Sequence, residues 1–490
     1  MDNKRDNTTD IASEKRPSLF VSLVPVAILI ALIVVGAIVF GDELTDGPSQ
    51  IALLGAAAVG ALIGIYHLKI PWEKLEGGML DNLSKTGSAI FIILMIGALT
   101  AAWIQSGVVP TMIYYGLKII NPSIFLLITF LFTGIISCIL GSSWTTVGTI
   151  GLAMLTIGRV LGYDDGWLAG AILSGAYVGD KISPLSDTTN LSSSISGVKL
   201  SEHIKYMVIT NVPAFIICAV VFGIAGFFVE IESSLDVEQQ CREISGEYNV
   251  SLWLLLIPAG TIFMIYKKIS PFLTLCLSAI IGVVVALFAQ PQIIQQISPY
   301  GESLTSYIYA PIKILSSSVD VETDNKILDG LVDTGGMGGM IKTIWLVISV
   351  VGFGGIMESA GYIECITRHI MKYIKSTVSL VAATVGSCCF CNILLSDQYI
   401  SILVSGKMFG DLYDKGGYER RLLARSIQDS ATVTSVLVPW NTCGVYHSGM
   451  LGIPTLTLLP YCVFNYISPI CSIAVAAIGY KIYRFGKRIR

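Results

Sequence analysis

The chain has 490 residues, 53% hydrophobic and only 13% charged, with a mean hydropathy of +0.72, which excludes a soluble globular domain and places it in lipid. A net charge of -3 argues against a nucleic-acid partner, and no G-x-x-x-x-G-K-[ST] loop is present to cradle a nucleotide, so an ATP-driven pump is not expected. The eleven cysteines lie mostly in apolar runs, where a thiol behaves as a small hydrophobe, so no disulfide framework is expected. The tightest group, Cys388, Cys389 and Cys391, has no histidine nearby and reads as packing rather than a metal centre. No cofactor is expected.

From the N-terminus, a polar tail over 1–18 carries Lys4, Arg5, Lys15 and Arg16. The apolar run 19–40 that follows is too long for a signal-peptide core and is expected to remain as a span. At about 20 residues per crossing, the chain reads as about fourteen passes. They fall near 19–40, 50–66, 88–105, 123–140, 146–161, 167–190, 206–229, 251–266, 271–289, 343–358, 377–395, 398–410, 422–444 and 455–483. Basic segments at both tails, at Lys267 and Lys268, from Arg368 to Lys375 and from Arg420 to Arg425 place both termini in the cytoplasm by the positive-inside rule. The acidic loops then face outward, among them Glu230 to Glu247 and the stretch 290–340, whose role the sequence leaves open, a simple linker being one reading.

The middle of the chain is echoed in its last third. ALTAAWIQSG at 98–107, a hairpin near Gly141 and a broken stretch through Asp180 to Asn190 run parallel to GIMESAG at 355–361, a hairpin near Asn392 and a broken stretch through Asp429 to Gly444. The charge rule gives the two copies opposite directions. The expected fold is therefore an all-α polytopic membrane protein with two inverted five-pass repeats containing broken helices and hairpins. Its divisions are the tail 1–18, two peripheral spans in 19–87, a first repeat over 88–230, outer loops and two linking spans over 231–342, a second repeat over 343–483 and a basic tail 484–490.

The first chemically informative segment is GSSWTTVGT at 141–149, where Ser142, Ser143 and Thr145 sit beside glycines that let backbone leave the helix. Hydroxyls and freed carbonyls make a hard-oxygen setting for an alkali cation, although the same residues also serve as packing glue. The central segment is GAYVGDKISPLSDTTN at 175–190. Asp180 and Asp187 flank Pro184, with Ser183, Thr188, Thr189 and Asn190 around them. A carboxylate at that depth costs about 2.5–3.5 kcal/mol to insert, so it marks a pathway by default. Proline should unwind the helix and expose carbonyls beside the acids, and Lys181 is a candidate ion-pair partner for Asp180. The competing reading has Asp187 capping the next helix.

The last third supplies Asn392, Ser396, Asp397 and Gln398 in its hairpin, then Gln428 and Asp429 ahead of PWNTCG at 439–444, with Asn441 and Thr442 following Pro439. All four histidines read as surface residues, with His447 alone close enough to a broken helix to matter for pH. At these residues GDKISPLSDTTN, SDQY, QDS and PWNTCG resemble the signatures of NhaC-type sodium/proton antiporters, within the broader ion-transporter superfamily. Gln428 departs from the acidic residue expected in many relatives.

The resemblance implies sodium extrusion coupled to proton entry across the cytoplasmic membrane, with Asp180, Asp187, Asp397, Asp429 and Asn441 near the site. The expected mechanism is competition of sodium and protons for buried aspartates, with sodium held at Asp180 and Asp187. Ser142, Ser143, Thr145, Ser183, Thr188, Thr189, Asn190, Gln398, Asn441 and Thr442 are the expected supporting ligands. The alternative is a sodium- and proton-coupled exchanger of organic acids such as malate and lactate, which needs a cationic anchor that only Lys181 offers within the motif. A passive sodium channel and a membrane enzyme are weaker readings, the latter because no nucleophile, base and orienting group share a motif. The expected partners are sodium, protons and membrane lipid, without nucleic acid, and the sequence admits a homodimer without specifying one.

Overall fold

The computed structural model describes residues 16–488 apart from 42, 43, 45, 120, 229–236, 302, 320, 322–333, 373, 396, 485 and 486. Ser396 and the stretch 322–333 of the predicted outer loop thus lie outside the described residues. Helices dominate because the apolar runs have no water to satisfy their backbone and must bond internally. Among the described residues, eight are long and apolar enough to cross a membrane, or up to ten if two bent pairs are counted as single spans. The first, Leu19–Phe40, has a mean hydropathy of 3.1 and leaves Val34, Ile38 and Val39 exposed, the expected face toward lipid. The predicted passes near 146–161, 167–190, 398–410 and 422–444 fall short of that test because they contain the polar, interrupted segments.

Two expectations are corrected and one open question is narrowed. The third pass starts well before 88: Trp72–Gln105 is one 34-residue helix, about 51 Å long at 1.5 Å per residue, whose polar first turns precede its apolar part. Part of the predicted acidic loop forms a helix, Val237–Glu247, followed after a sharp bend by Leu256–Tyr266. The stretch 290–340 is not a plain linker. Its described part holds the helices Pro291–Ile297 and Leu304–Ser316, and Leu304–Ser316 packs on Trp72–Gln105. The last residues add a short antiparallel pair, Tyr483–Arg484 with Lys487–Arg488.

The order of elements does repeat along the chain. Trp72–Gln105, Val108–Ile119, Phe125–Leu140, a turn, 143–160, Asp165–Ile182, a break and Asp187–Ile195 have successive counterparts. These are Ile341–Ser359, Tyr362–Met371, Thr377–Leu394, a turn, Gln398–Lys415, 420–437, a break and Thr442–Leu451. Even the tight turn after each long helix matches, with Gly107 at φ 81° and Gly361 at φ 74°.

Two contacts hold the centre. Phe125–Leu140 and Asp165–Ile182 lie backbone against backbone, since a Cβ on Gly175 or Gly179 would overlap the carbonyl oxygens of Phe130 or Gly134. Ser137 Oγ seals this approach by donating to the Ala176 carbonyl at 2.6 Å. Elsewhere, Lys181 Nζ reaches Asp429 at 2.6 Å, with both side chains fully buried. Lys181 therefore does not pair with its neighbour Asp180. Adjacent residues of a helix point in different directions, and Lys181 faces Ser468, to which it donates at 2.8 Å, and Asp429. Thr210 Oγ1 donates to the same Asp429 oxygen at 3.0 Å.

Gly179→Val should force these helices apart and destabilise the protein by about 1–3 kcal/mol or more, read as a lower thermal midpoint in detergent. Lys181→Ala should cost about 3–5 kcal/mol because it breaks a buried ion pair and leaves Asp429 only the more distant Arg425, read in the same melting experiment.

Candidate cation site

The site is built where the first turn meets the first break. Gly141 takes the left-handed conformation at φ 71° and ends Phe125–Leu140. It also has to be glycine for space, since a Cβ there would collide with Leu185 in the break. Ser142 then caps the next helix, its side chain accepting from the Thr145 N–H at 3.2 Å. This directs the Ser143 N–H and Oγ toward Asp180, and both donate to one Asp180 carboxylate oxygen, at 3.1 Å and 2.7 Å. Just beyond, Val147–Gly151 forms a π-helical turn, a distortion that recurs at functional sites.

Asp165–Ile182 stops before Pro184, and Asp187–Ile195 starts after it. Ser186, not Asp187, is the cap of the second helix, accepting from the Thr189 N–H at 3.3 Å. Asp187 is instead its first residue, where the helix dipole favours a negative charge. The expectation that the break bares its carbonyls is corrected. Thr189 Oγ1 donates to the Lys181 carbonyl at 3.1 Å, and Asn190 Nδ2 donates to those of Ser186 at 2.8 Å and Pro184 at 3.2 Å. Ser183 is likewise spent locally, accepting from the Leu185 N–H at 3.2 Å. These three residues support the break, and Thr189, Asn190 and Ser183 do not line the cavity beside it.

That cavity has a volume of about 90 Å³. Its polar wall comprises Ser142, Ser143, Thr145, Asp180, Asp187, Thr188 and Gln398, and its aromatic wall Trp144, Tyr399 and Tyr446. Asp180 is only 5% exposed, whereas Asp187 is exposed, so of the two acids predicted as buried only Asp180 is. Gln398 is 3% exposed and its Oε1 has no hydrogen-bond partner among the described residues, an orphaned acceptor in the wall of an oxygen-lined cavity. Carboxylate, hydroxyl and amide oxygens are the donor set that suits a hard cation. Among the described residues, no lysine, arginine or histidine lines the cavity.

The aromatic wall carried no role in the sequence reading, although Trp144 and Tyr399 lie inside its motifs. Trp144 and Tyr446 stack at 4.0 Å between ring centroids, and Tyr446 donates to the Trp144 carbonyl at 2.9 Å. This joins the first turn to the helix after the second break, a contact invisible in one-dimensional spacing.

The remaining predicted residues lie elsewhere. Asp397 is a helix cap, accepting from the Tyr399 and Ile400 N–H groups at 2.9 Å and 3.0 Å and from Thr442 Oγ1 at 3.1 Å. Asn441 caps Thr442–Leu451 and donates from Nδ2 to the Asn392 carbonyl at 3.0 Å. Asp429 belongs to the Lys181 cluster and does not line the cavity. His203 and His447 are fully buried, which corrects their predicted surface placement. His447 sits on a helix rather than in a loop, with Nε2 at 3.2 Å from the Tyr177 hydroxyl.

The sequence profile of the Na+/H+ antiporter family matches the chain over residues 7–189 and 175–480. The chain is 36% identical to the Na(+)/H(+) antiporter NhaC of Bacillus subtilis over 430 residues, covering 87% of this chain and 90% of the relative. It is 33% identical to the malate-2H(+)/Na(+)-lactate antiporter of the same organism over 455 residues, 92% and 93% of the two chains. It is 32% identical to the arginine/ornithine antiporter ArcD of Halobacterium salinarum over 478 residues, 97% and 95% of the two chains. These relatives are transporters, not enzymes, and this chain belongs to the Na+/H+ antiporter family.

Proposed function

We propose that this protein exchanges sodium ions for protons across the cytoplasmic membrane, the two ions occupying the Asp180 and Asp187 carboxylates in turn. The observation that carries this reading is the cavity wall, with two carboxylates, four serine and threonine hydroxyls and an unclaimed amide oxygen, and among the described residues no basic side chain. In a poorly hydrated setting an empty carboxylate is costly to keep ionised and takes up a proton, while a bound cation favours the ionised form. Each ion therefore displaces the other. Ser142, Ser143, Thr145, Thr188 and Gln398 serve as neutral oxygen ligands.

Alternating access follows from two inverted halves rocking about the cavity, with both termini cytoplasmic. The parallel order of elements on either side of residue 340 supports that reading. Asp397, Asn441, Thr442, Asn190, Thr189 and Ser183 hold the turns and breaks in shape, and Asp429 ties the halves through Lys181.

Malate or lactate as cargo ranks lower. A carboxylate substrate needs a counter-charge, and Lys181, its one candidate, is turned away and engaged by Asp429. A cationic amino acid, the cargo named for the halobacterial relative, suits an acidic and aromatic wall and is the second reading.

The test uses purified protein in sealed vesicles holding a pH-sensitive dye, under clamped voltage, with sodium, malate, lactate or arginine added separately. Sodium alone should move protons. Asp187→Asn and Asp180→Asn should each reduce that movement to background while the protein remains folded and inserted. Normal exchange in Asp187→Asn would remove it from the role, and movement only with arginine or with an organic acid would transfer the assignment to that cargo.

A further inference from the structure

We propose that Gln428 is a positioning residue for the cation site, holding the helix that begins at Asp187 in place from the other half of the chain. This rests on the assignment of the Asp180 and Asp187 cavity to sodium. Gln428 is fully buried and does not line the cavity. Its side chain is nevertheless completely used by one face of Asp187–Ile195. Nε2 donates to Thr188 Oγ1 at 3.2 Å and to Thr189 Oγ1 at 3.1 Å, and Oε1 accepts from Ser192 Oγ at 2.5 Å. These three hydroxyls sit within one turn of that helix.

The grip extends across the break. Thr189 Oγ1 in turn donates to the Lys181 carbonyl at 3.1 Å, on the far side of Pro184. The residue after Gln428 is Asp429, which holds the Lys181 ammonium. Gln428 and Asp429 open the π-helical turn Gln428–Thr432, and a π-helical turn offsets consecutive side chains from regular helical register. Two successive side chains of this turn therefore hold the two helices that meet at Pro184, one carrying Asp180 and the other Asp187 and Thr188.

Proline has already removed the continuous backbone hydrogen bonding that would fix one helix against the other. What fixes the spacing of Asp180 from Asp187 and Thr188 must then be side-chain bonding, and the buried amide supplies three such bonds. It touches the site only through Thr188, which lines the cavity and also lies 3.1 Å from Ser186 Oγ. A site positioned this way loses affinity when its support loosens, even though no ligand has been removed.

The experiment is a sodium titration of the full chain, read both as thermal stabilisation in detergent and as exchange rate in vesicles. Gln428→Leu keeps the volume and removes all three bonds. It should raise the half-saturating sodium concentration about tenfold in both readouts, the scale of one to two net hydrogen bonds, with the maximal rate within about twofold. Gln428→Asn, whose amide reaches one methylene less far, is the second variant and should shift in the same direction if Gln428→Leu does not fold. Adding Thr188→Val to the variant should produce a shift smaller than the sum of the two single shifts, since both act on the same bond. A lower melting temperature with unchanged sodium half-saturation would overturn the proposal and leave Gln428 a packing residue. A parent protein with no sodium response in either readout would overturn the assignment of the cavity and this inference with it.

Discussion

In hydrocarbon a backbone N–H or C=O has no water to fall back on, and each break at Pro184 and Pro439 releases several of them. The structure around the site is the solution to that constraint. Ser142, Ser186, Asp397 and Asn441 cap the helices that restart, and Thr189, Asn190 and Asn392 take up or supply partners beside the breaks. Each of these side chains bonds a peptide or polar group beside a turn or break. Gln398 Oε1, without a partner among the described residues, and the carboxylates of Asp180 and Asp187 stand in the cavity wall.

The buried charges follow the same logic. Lys181, Asp429 and Arg425 are all inaccessible, and the single carboxylate is shared by the two cations. Lys181 meets Asp429 at 2.6 Å, Arg425 lies 3.9 Å from the other carboxylate oxygen, and its guanidinium stands over the Tyr206 ring at 4.7 Å. The result separates two populations of polar residues. One contains the Lys181–Asp429 ion pair and joins helices, and the other carries its carboxylates beside an open space. Sequence spacing alone cannot tell these apart, since Asp180 and Lys181 are neighbours and belong to different populations.

Glycine governs how closely the parts approach. Gly175 and Gly179 bring the helix carrying Asp180 against Phe125–Leu140, and Gly141 lets the first turn rest on Leu185. The Ser143 donors meet Asp180 because of these approaches. The cavity is thus a consequence of close backbone packing around the first break, with Gly141 in its wall.

The sequence by itself determined the membrane setting, the helical architecture, the positions of both breaks and the acids at Asp180 and Asp187, because hydropathy, proline and intramembrane charge act locally and are legible in one dimension. The turn at Gly141 and the hydroxyls of Ser142, Ser143, Thr145 and Thr188 were legible for the same reason. Tertiary structure decided which polar residue faces the cavity and which is consumed in holding it open. It turned Lys181 away from Asp180, assigned Asp397 to a helix cap, buried His203 and His447, and added Trp144, Tyr399 and Tyr446 as walls. Such outcomes depend on the direction of a side chain and on a partner often more than 200 residues away, as for Lys181 with Ser468 and Gln428 with Thr188, and chain spacing carries neither.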